Sequence, residues 1–306
     1  MKSMHVLLRN AIDYAGLFPP AGLDMQSAVS NFAAYSADEN SWALGRFVVP
    51  VSRLDEFMAA AWPYVSAKTS PIRPWRLAAL CGPDLGSDMD AIERFNGFFK
   101  SSDARLTIDT LERKAVSVEE IKETMHRVPA QLQAFLELPV DSDAVPLIHA
   151  MAGSRVRAKV RTGGITADAF PRPADLLGFI DTAIRASVPF KATAGLHHPL
   201  RAEYRLTYAP DSARGRMFGF LNLFLVACGL HYGMEMGHAL DLLQEESPAS
   251  LVIENDGIRW RDYHWGVAQL EVIRREAIIA FGSCSFTEPI GELQALNLLL
   301  PRVPQA

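Results

Sequence analysis

Cysteine is scarce here: three residues in a chain of 306, Cys81, Cys228 and Cys284. The number is odd, and the spacing matches neither a metal knuckle nor a CxxC motif. The fold is therefore not expected to rest on disulfides, and reduced thiols in a cytoplasmic protein are the simplest expectation. Long apolar runs are missing too. The N-terminal residues, MKSMHVLLRNAIDYAG, hold no stretch of secretory-signal length. The most apolar segment, 218–230, is too short to span a bilayer and reads as a buried helix. Nor is there an excess of basic charge: 30 Lys and Arg face 35 Asp and Glu, a formal net charge of −5. That balance argues against nucleic acid as the main partner, because phosphate binding needs a basic field. No membrane partner is expected, and no repeat, charge block or low-complexity linker divides the chain.

What is present is an alternation of short apolar runs with helical spacing. Strands are predicted over 44–51, 76–81, 104–110, 132–138, 156–161 and 189–194. Helices are predicted between them over 52–65, 89–99, 118–128, 144–151 and 172–187. Six successive units of roughly 30 residues predict an α/β protein with a parallel sheet. Six units with more chain to come favour a closed (β/α)8 barrel of the TIM type. An open doubly wound parallel sheet is the alternative, weakened because no GxGxxG follows the first predicted strand.

The pattern loosens after the sixth strand. Residues 195–216 read as a lid-like polar loop, 217–230 as a helix, and 251–262 as a hairpin where the seventh strand belongs. Residues 278–284 would close the barrel, and 290–300 would be the last helix. Residues 1–42 read as a loop-and-helix extension that plugs the barrel bottom. One domain spans 1–306.

Strands buried on both faces should be apolar throughout. The fifth predicted strand breaks that rule in one parity: Val156, Ala158 and Val160 suit the helix layer, so Arg157, Lys159 and Arg161 point inward. The sixth repeats the split, with Lys191 and Thr193 inward. Glu137 and Asp109 fall on the inward parity of their strands. Asp109, Glu137, Lys159, Arg161 and Lys191 would then share one interior volume, where unpaired charges need partners or a ligand. Barrel active sites lie at the strand C-termini, where Glu137, Arg161 and Lys191 fall. Arg157, nearer the bottom, reads as a structural partner. The alternative is an ion network that merely fills the barrel. Cations outnumber carboxylates in this set, which points to an anionic ligand.

The loops add candidates. Thr162-Gly163-Gly164 would bring backbone amides close to an anion, or form a plain turn. His197, His198 and Arg201, in GLHHPLR, would sit at the mouth, with at most one histidine serving the site. Gly282, Ser283 and Ser285, in GSCSFTEP, suit a phosphate, whereas Thr287 before Glu288-Pro289 fits a helix start, so a structural role explains part of the motif. Cys284 reads as packing. Trp260, Tyr263, His264 and Trp265 form a packing surface or a pocket wall, and this region offers a contact for a homo-oligomer. Asp13 and Tyr14 are polar residues in an apolar turn and have no predicted place.

Lys191-Ala192-Thr193-Ala194-Gly195 resembles the lysine motif of the deoxyribose-phosphate aldolases, a Lys-Thr-Ser-Thr-Gly run on the sixth barrel strand. The match covers about five residues. The resemblance implies that Lys191 forms a Schiff base with a carbonyl substrate, helped by a second lysine on the next strand and an aspartate on an earlier one. In this chain the second lysine, Lys159, is predicted on the preceding strand, and the carboxylate would be Asp109 or Glu137. The HHP sequence and the long loop after Gly195 depart from the family pattern.

The leading expectation is a lyase of the Schiff-base class acting on a small anionic carbonyl compound. It needs no cofactor and no metal. Lys191, Lys159, Glu137 and Asp109 would do the chemistry. Arg161, the 162–164 loop, Thr193, His197, His198, Arg201, Ser283 and Ser285 would bind substrate. Two alternatives use the same pocket: a metal-dependent lyase, isomerase or hydrolase built on Asp109, Glu137 and one histidine, or a non-catalytic protein that binds an anionic metabolite.

Overall fold

The computed structural model describes residues 1–66, 73–102 and 105–300. Ala104, where the third predicted strand starts, lies outside the described residues. Helix α1 (Lys2–Leu8) leads into β1 (Ile12–Tyr14). Six further strands alternate with helices: α2 (Met25–Ala37), β2 (Leu44–Pro50), α3 (Leu54–Val65), β3 (Trp75–Leu80), α4 (Leu85–Lys100) and β4 (Leu106–Lys114). The series continues through α5 (Val118–Arg127), β5 (Gln133–Leu138), α6 (Ala144–Met151), β6 (Arg157–Arg161), α7 (Pro173–Arg185) and β7 (Phe190–Thr193).

A long excursion then follows. It contains the hairpin β8 (Ala202–Arg205) and β9 (Arg214–Met217), and helices α8 (Phe220–His231) and α9 (Met236–Leu243). A three-stranded meander comes next, β10 (Leu251–Ile253), β11 (Gly257–Trp260) and β12 (Tyr263–Gly266), and then α10 (Val267–Glu276). The chain returns through β13 (Ile278–Ser283) and ends in α11 (Thr287–Ala295). Eight strands close a barrel in the order β1-β13-β7-β6-β5-β4-β3-β2, and every pair in it is parallel. The chain is an α/β protein with a (β/α)8 barrel.

Local chemistry explains the regular part. Asp24 and Asp84 accept from the backbone N–H groups of Ser27 and Ser87, opening α2 and α4. Ser117 and Glu120 form a capping box at α5. Pro173 starts α7 with its φ already helical. Ala158, Val160 and Ala192 pack outward at zero exposure, which leaves the alternate positions for the barrel interior. Every residue of α8 from Phe220 to Gly229 is buried, as expected of a helix apolar all round. Among the described residues no helix is long and apolar enough to cross a membrane.

Several expectations change. Residues 1–42 are no bottom plug, because β1 sits in the barrel wall between β13 and β2. The strand predicted as first is therefore the second, and those predicted as fifth and sixth are β6 and β7. The hairpin expected in place of the seventh strand lies outside the barrel, in the β10–β12 sheet. The irregularity falls between the seventh and eighth barrel strands. Within the predicted lid-like loop 195–216, β8 and β9 pair antiparallel.

Candidate active site

Three carboxylates and two ammonium groups meet inside the barrel. Lys191, at zero exposure, donates to Glu112 Oε1 at 2.6 Å and to Asp13 Oδ2. Lys159 lies 2.8 Å from Glu112 Oε2 and 2.9 Å from Glu137 Oε2. Glu112 thus bridges the two lysines, one oxygen to each. Asp13 Oδ1 also accepts from the Arg46 backbone N–H at 2.8 Å. Toward the strand N-termini, Arg46 grips Asp109 with two hydrogen bonds, at 2.5 and 3.0 Å. Each buried charge here has a partner of opposite sign, as burial requires.

Above this network, at the strand C-termini, opens a cavity of about 780 Å³. Its polar floor includes Glu112, Glu137 and Lys159, and Arg161 rises beside them. One wall is apolar, from Phe18, Pro19 and Pro20 of the loop after β1, Leu80 at the end of β3 and Ile165 after β6. Lys114 reaches the mouth, and both it and Arg161 are exposed. At the exit of β7, Ala194 and Gly195 both take left-handed backbone conformations, φ +66° and +70°. Such a conformation is costly for a residue with a Cβ. The Thr162 hydroxyl donates to the Ala194 carbonyl at 2.6 Å and helps hold the turn.

The electrostatics follow from these contacts. Burial alone would raise the Glu112 carboxyl, but Lys159 and Lys191 outweigh it and hold the group down to about 2. Burial alone would lower Lys159, but Glu112 and Glu137 outweigh it and hold the amine above its ordinary range. Lys159 is therefore kept as an ammonium. Burial, helped by His198, pushes His197 down to about 4 and leaves its ring neutral at neutral pH.

A pH effect on stability follows. The part of stability due to Glu112 is complete above the ordinary value of 4.5 and is lost as the pH falls through about 2. The part due to Lys159 is complete below the ordinary 10.5 and is lost only above its raised value. Thermal melts across pH should show the wild type losing stability between about 4.5 and 2 more steeply than Glu112→Gln. Equal slopes would mean that the carboxylate is not held by the two lysines.

Of the predicted residues, Glu137, Lys159, Arg161, Gly164, Thr193 and His197 line the cavity. Lys191 lies beneath it and does not. Asp109 is separate, spent on Arg46, with Arg76 3.8 Å away. Thr162 is buried in the turn above, and Gly163 is a glycine because a Cβ there would lie 2.3 Å from the Phe170 ring. His198 faces a neighbouring cavity of about 230 Å³. Arg201 turns away to Glu246, 3.5 Å distant. Ser283 Oγ lies 3.1 Å from His197 Nδ1, and Ser285 Oγ accepts from the Glu288 backbone, so both serve the turn into α11.

Cations do not outnumber carboxylates around the two lysines; three carboxylates surround them. The positive excess sits at the mouth instead. Among the described residues, neither Arg161 nor Lys114 has a carboxylate within 4.0 Å.

Sequence reasoning missed Glu112 and left Asp13 unplaced. The fourth barrel strand runs on to Lys114, and strict alternation from Asp109 puts Glu112 on the outward face, so the sequence pattern alone carries no signal for it. Cys284, read as packing, is buried and also lines the cavity, 3.6 Å from His197 Nδ1 and 3.4 Å from the Tyr208 hydroxyl. Burial raises its thiol, so it is no ready thiolate. No family model, no curated protein and no solved structure matches this chain.

Proposed function

We propose that this protein is an enzyme of the lyase or isomerase type that forms an enolate on a small carbonyl compound carrying a carboxylate or phosphate. The observation that carries the reading is Lys159: an ammonium fixed between two carboxylates on the floor of a cavity with an apolar wall. The substrate carbonyl oxygen would accept a hydrogen bond from Lys159. Glu137, which also lines the floor, would take a proton from the carbon next to the carbonyl or from a β-hydroxyl. In the first case the C–H electron pair becomes the enolate. In the second a C–C bond breaks, and its electrons go to the enolate. In both, negative charge grows on the oxygen facing a fixed cation, where preorganised electrostatics act most strongly. Arg161 and Lys114 at the mouth would attract the anionic group. Lys191, sealed below, would position Glu112.

A second reading keeps the Schiff base but moves it to Lys159. Counted from β1, the sixth barrel strand carries Lys159 and the seventh carries Lys191. Lysines on the sixth and following strands are what the aldolase resemblance implies. Glu137 would take the ammonium proton, Nζ would add to the carbonyl carbon, and water would leave. The raised proton affinity of Lys159 weighs against this route.

The test is a panel of small keto acids and phosphorylated ketones and aldehydes, incubated with the protein in D2O. NMR reads deuterium entering at the carbon next to the carbonyl, and borohydride is added to a parallel set. Exchange without a borohydride-dependent mass gain on Lys159 is expected. A mass gain on Lys159 selects the second reading. Neither signal across the panel overturns both and favours a protein that only binds an anionic metabolite.

A further inference from the structure

Beside the main cavity, on the outer side of His197, lies a cluster the proposed chemistry does not use. Helix α11 presents Glu288 and Glu292, four residues apart and so on one face. His198, from the turn after β7, meets them: its Nδ1 is 2.7 Å from Glu292 Oε1. One ligand atom from each of the three lies within 4.8 Å of the others. The cluster therefore joins the exits of two adjacent barrel strands, β7 and β13.

Its charge balance sets it apart. Asp13, Asp109, Glu112 and Glu137 in the barrel each have a lysine or arginine partner. Glu288 and Glu292 have none among the described residues; their only basic neighbours within 4.0 Å are His197 and His198. Two half-buried carboxylates face one another without a permanent counter-charge, and like charges so placed repel unless a cation joins them. The parts are also held in place. The His198 ring stacks on Tyr204 with centroids 3.4 Å apart and an 8° interplanar angle. The Tyr208 hydroxyl donates to Glu288 Oε2 at 3.1 Å, as an outer partner orients a ligating carboxylate. His198 and Glu288 both border the 230 Å³ cavity, which leaves room for water or substrate oxygen on the ion.

We propose that His198, Glu288 and Glu292 hold a divalent transition-metal ion, zinc or manganese, at the rim of the main cavity. One imidazole and two carboxylates suit these ions better than magnesium or calcium, which prefer oxygen ligands alone. Three protein ligands with an open side are the pattern of a reactive centre, not of a closed structural one. His197 and Pro20 border both cavities, so the ion would stand one side chain from the substrate space.

The test uses the full-length, untagged protein, stripped with chelator and titrated calorimetrically with Zn2+ and with Mn2+. One ion per chain is expected, weakened at least about tenfold by Glu288→Gln and by Glu292→Gln. Glu203→Gln, on exposed β8, should leave binding unchanged. Zinc-edge X-ray absorption on the wild type should count one imidazole in the coordination shell, a reading that needs no variant to fold. No stoichiometric uptake of either ion, uptake that both folded variants retain, or a shell without one imidazole would overturn the site.

Discussion

Glu112→Ala should lower the stability of the folded protein by about 3–5 kcal/mol, more than any other single change in the barrel network. Glu112 is 1 % exposed and gives one oxygen to Lys191 and the other to Lys159. Removing it leaves two buried ammonium groups with one carboxylate each and opens a void between them. The midpoint of thermal unfolding should fall by on the order of 10 °C. Glu112→Gln should fall between the two proteins, since its amide keeps the volume but offers one acceptor where two are used. The double variant Glu112→Met/Lys191→Met should not recover the loss, because it leaves Asp13 buried without its ammonium partner. A loss below about 1 kcal/mol for Glu112→Ala would show that the network is not buried as described.

The barrel was readable because six strand–helix units obey the expected periods, and the parity of β6 and β7 announced inward lysines correctly. The two failures have distinct physical causes. Strand β1 is three residues long, with a carboxylate at its centre, too short for any alternation to register. Asp13 is acceptable there only because Lys191 and the Arg46 backbone N–H meet it from distant parts of the chain. The second failure is on β4. Its pairing with β3 slips by one residue, Leu77 opposite Ile108 but Ala78 opposite Thr110. Such a slip reverses which side chains face inward. Asp109 and Glu112 have opposite parity in sequence, so a reading without the bulge admits only one of them to the interior. Such a reading admits Asp109, which pairs with Arg46 nearer the bottom. The His198, Glu288 and Glu292 cluster was illegible for another reason: the histidine lies ninety or more residues before the two glutamates and meets them only because β7 and β13 are neighbours.

Lys159→Met should cost the reaction about a thousandfold in rate, whereas Lys191→Met should cost mainly stability. Both lysines are buried and both touch Glu112, so sequence and charge alone do not distinguish them. Position does. Lys159 borders the cavity, and Lys191 has zero exposure beneath it. A cation can stabilise a developing oxyanion only from within hydrogen-bond reach of it, and for a substrate in this cavity that group is Lys159. Losing one such donor costs roughly 3–4 kcal/mol of transition-state stabilisation. Glu137→Gln should cost about 10²–10⁴-fold, because the amide cannot take the proton. The measurement is the initial rate of deuterium exchange on the first active substrate, divided by the folded fraction of each variant. On that scale Lys191→Met should stay within about tenfold of wild type while melting at lower temperature, since its loss leaves Asp13 buried without its ammonium partner. If instead Lys191→Met matched Lys159→Met in lost rate per folded molecule, the lower lysine would be the one that acts on the substrate, and the cavity floor would have to open in solution to admit it.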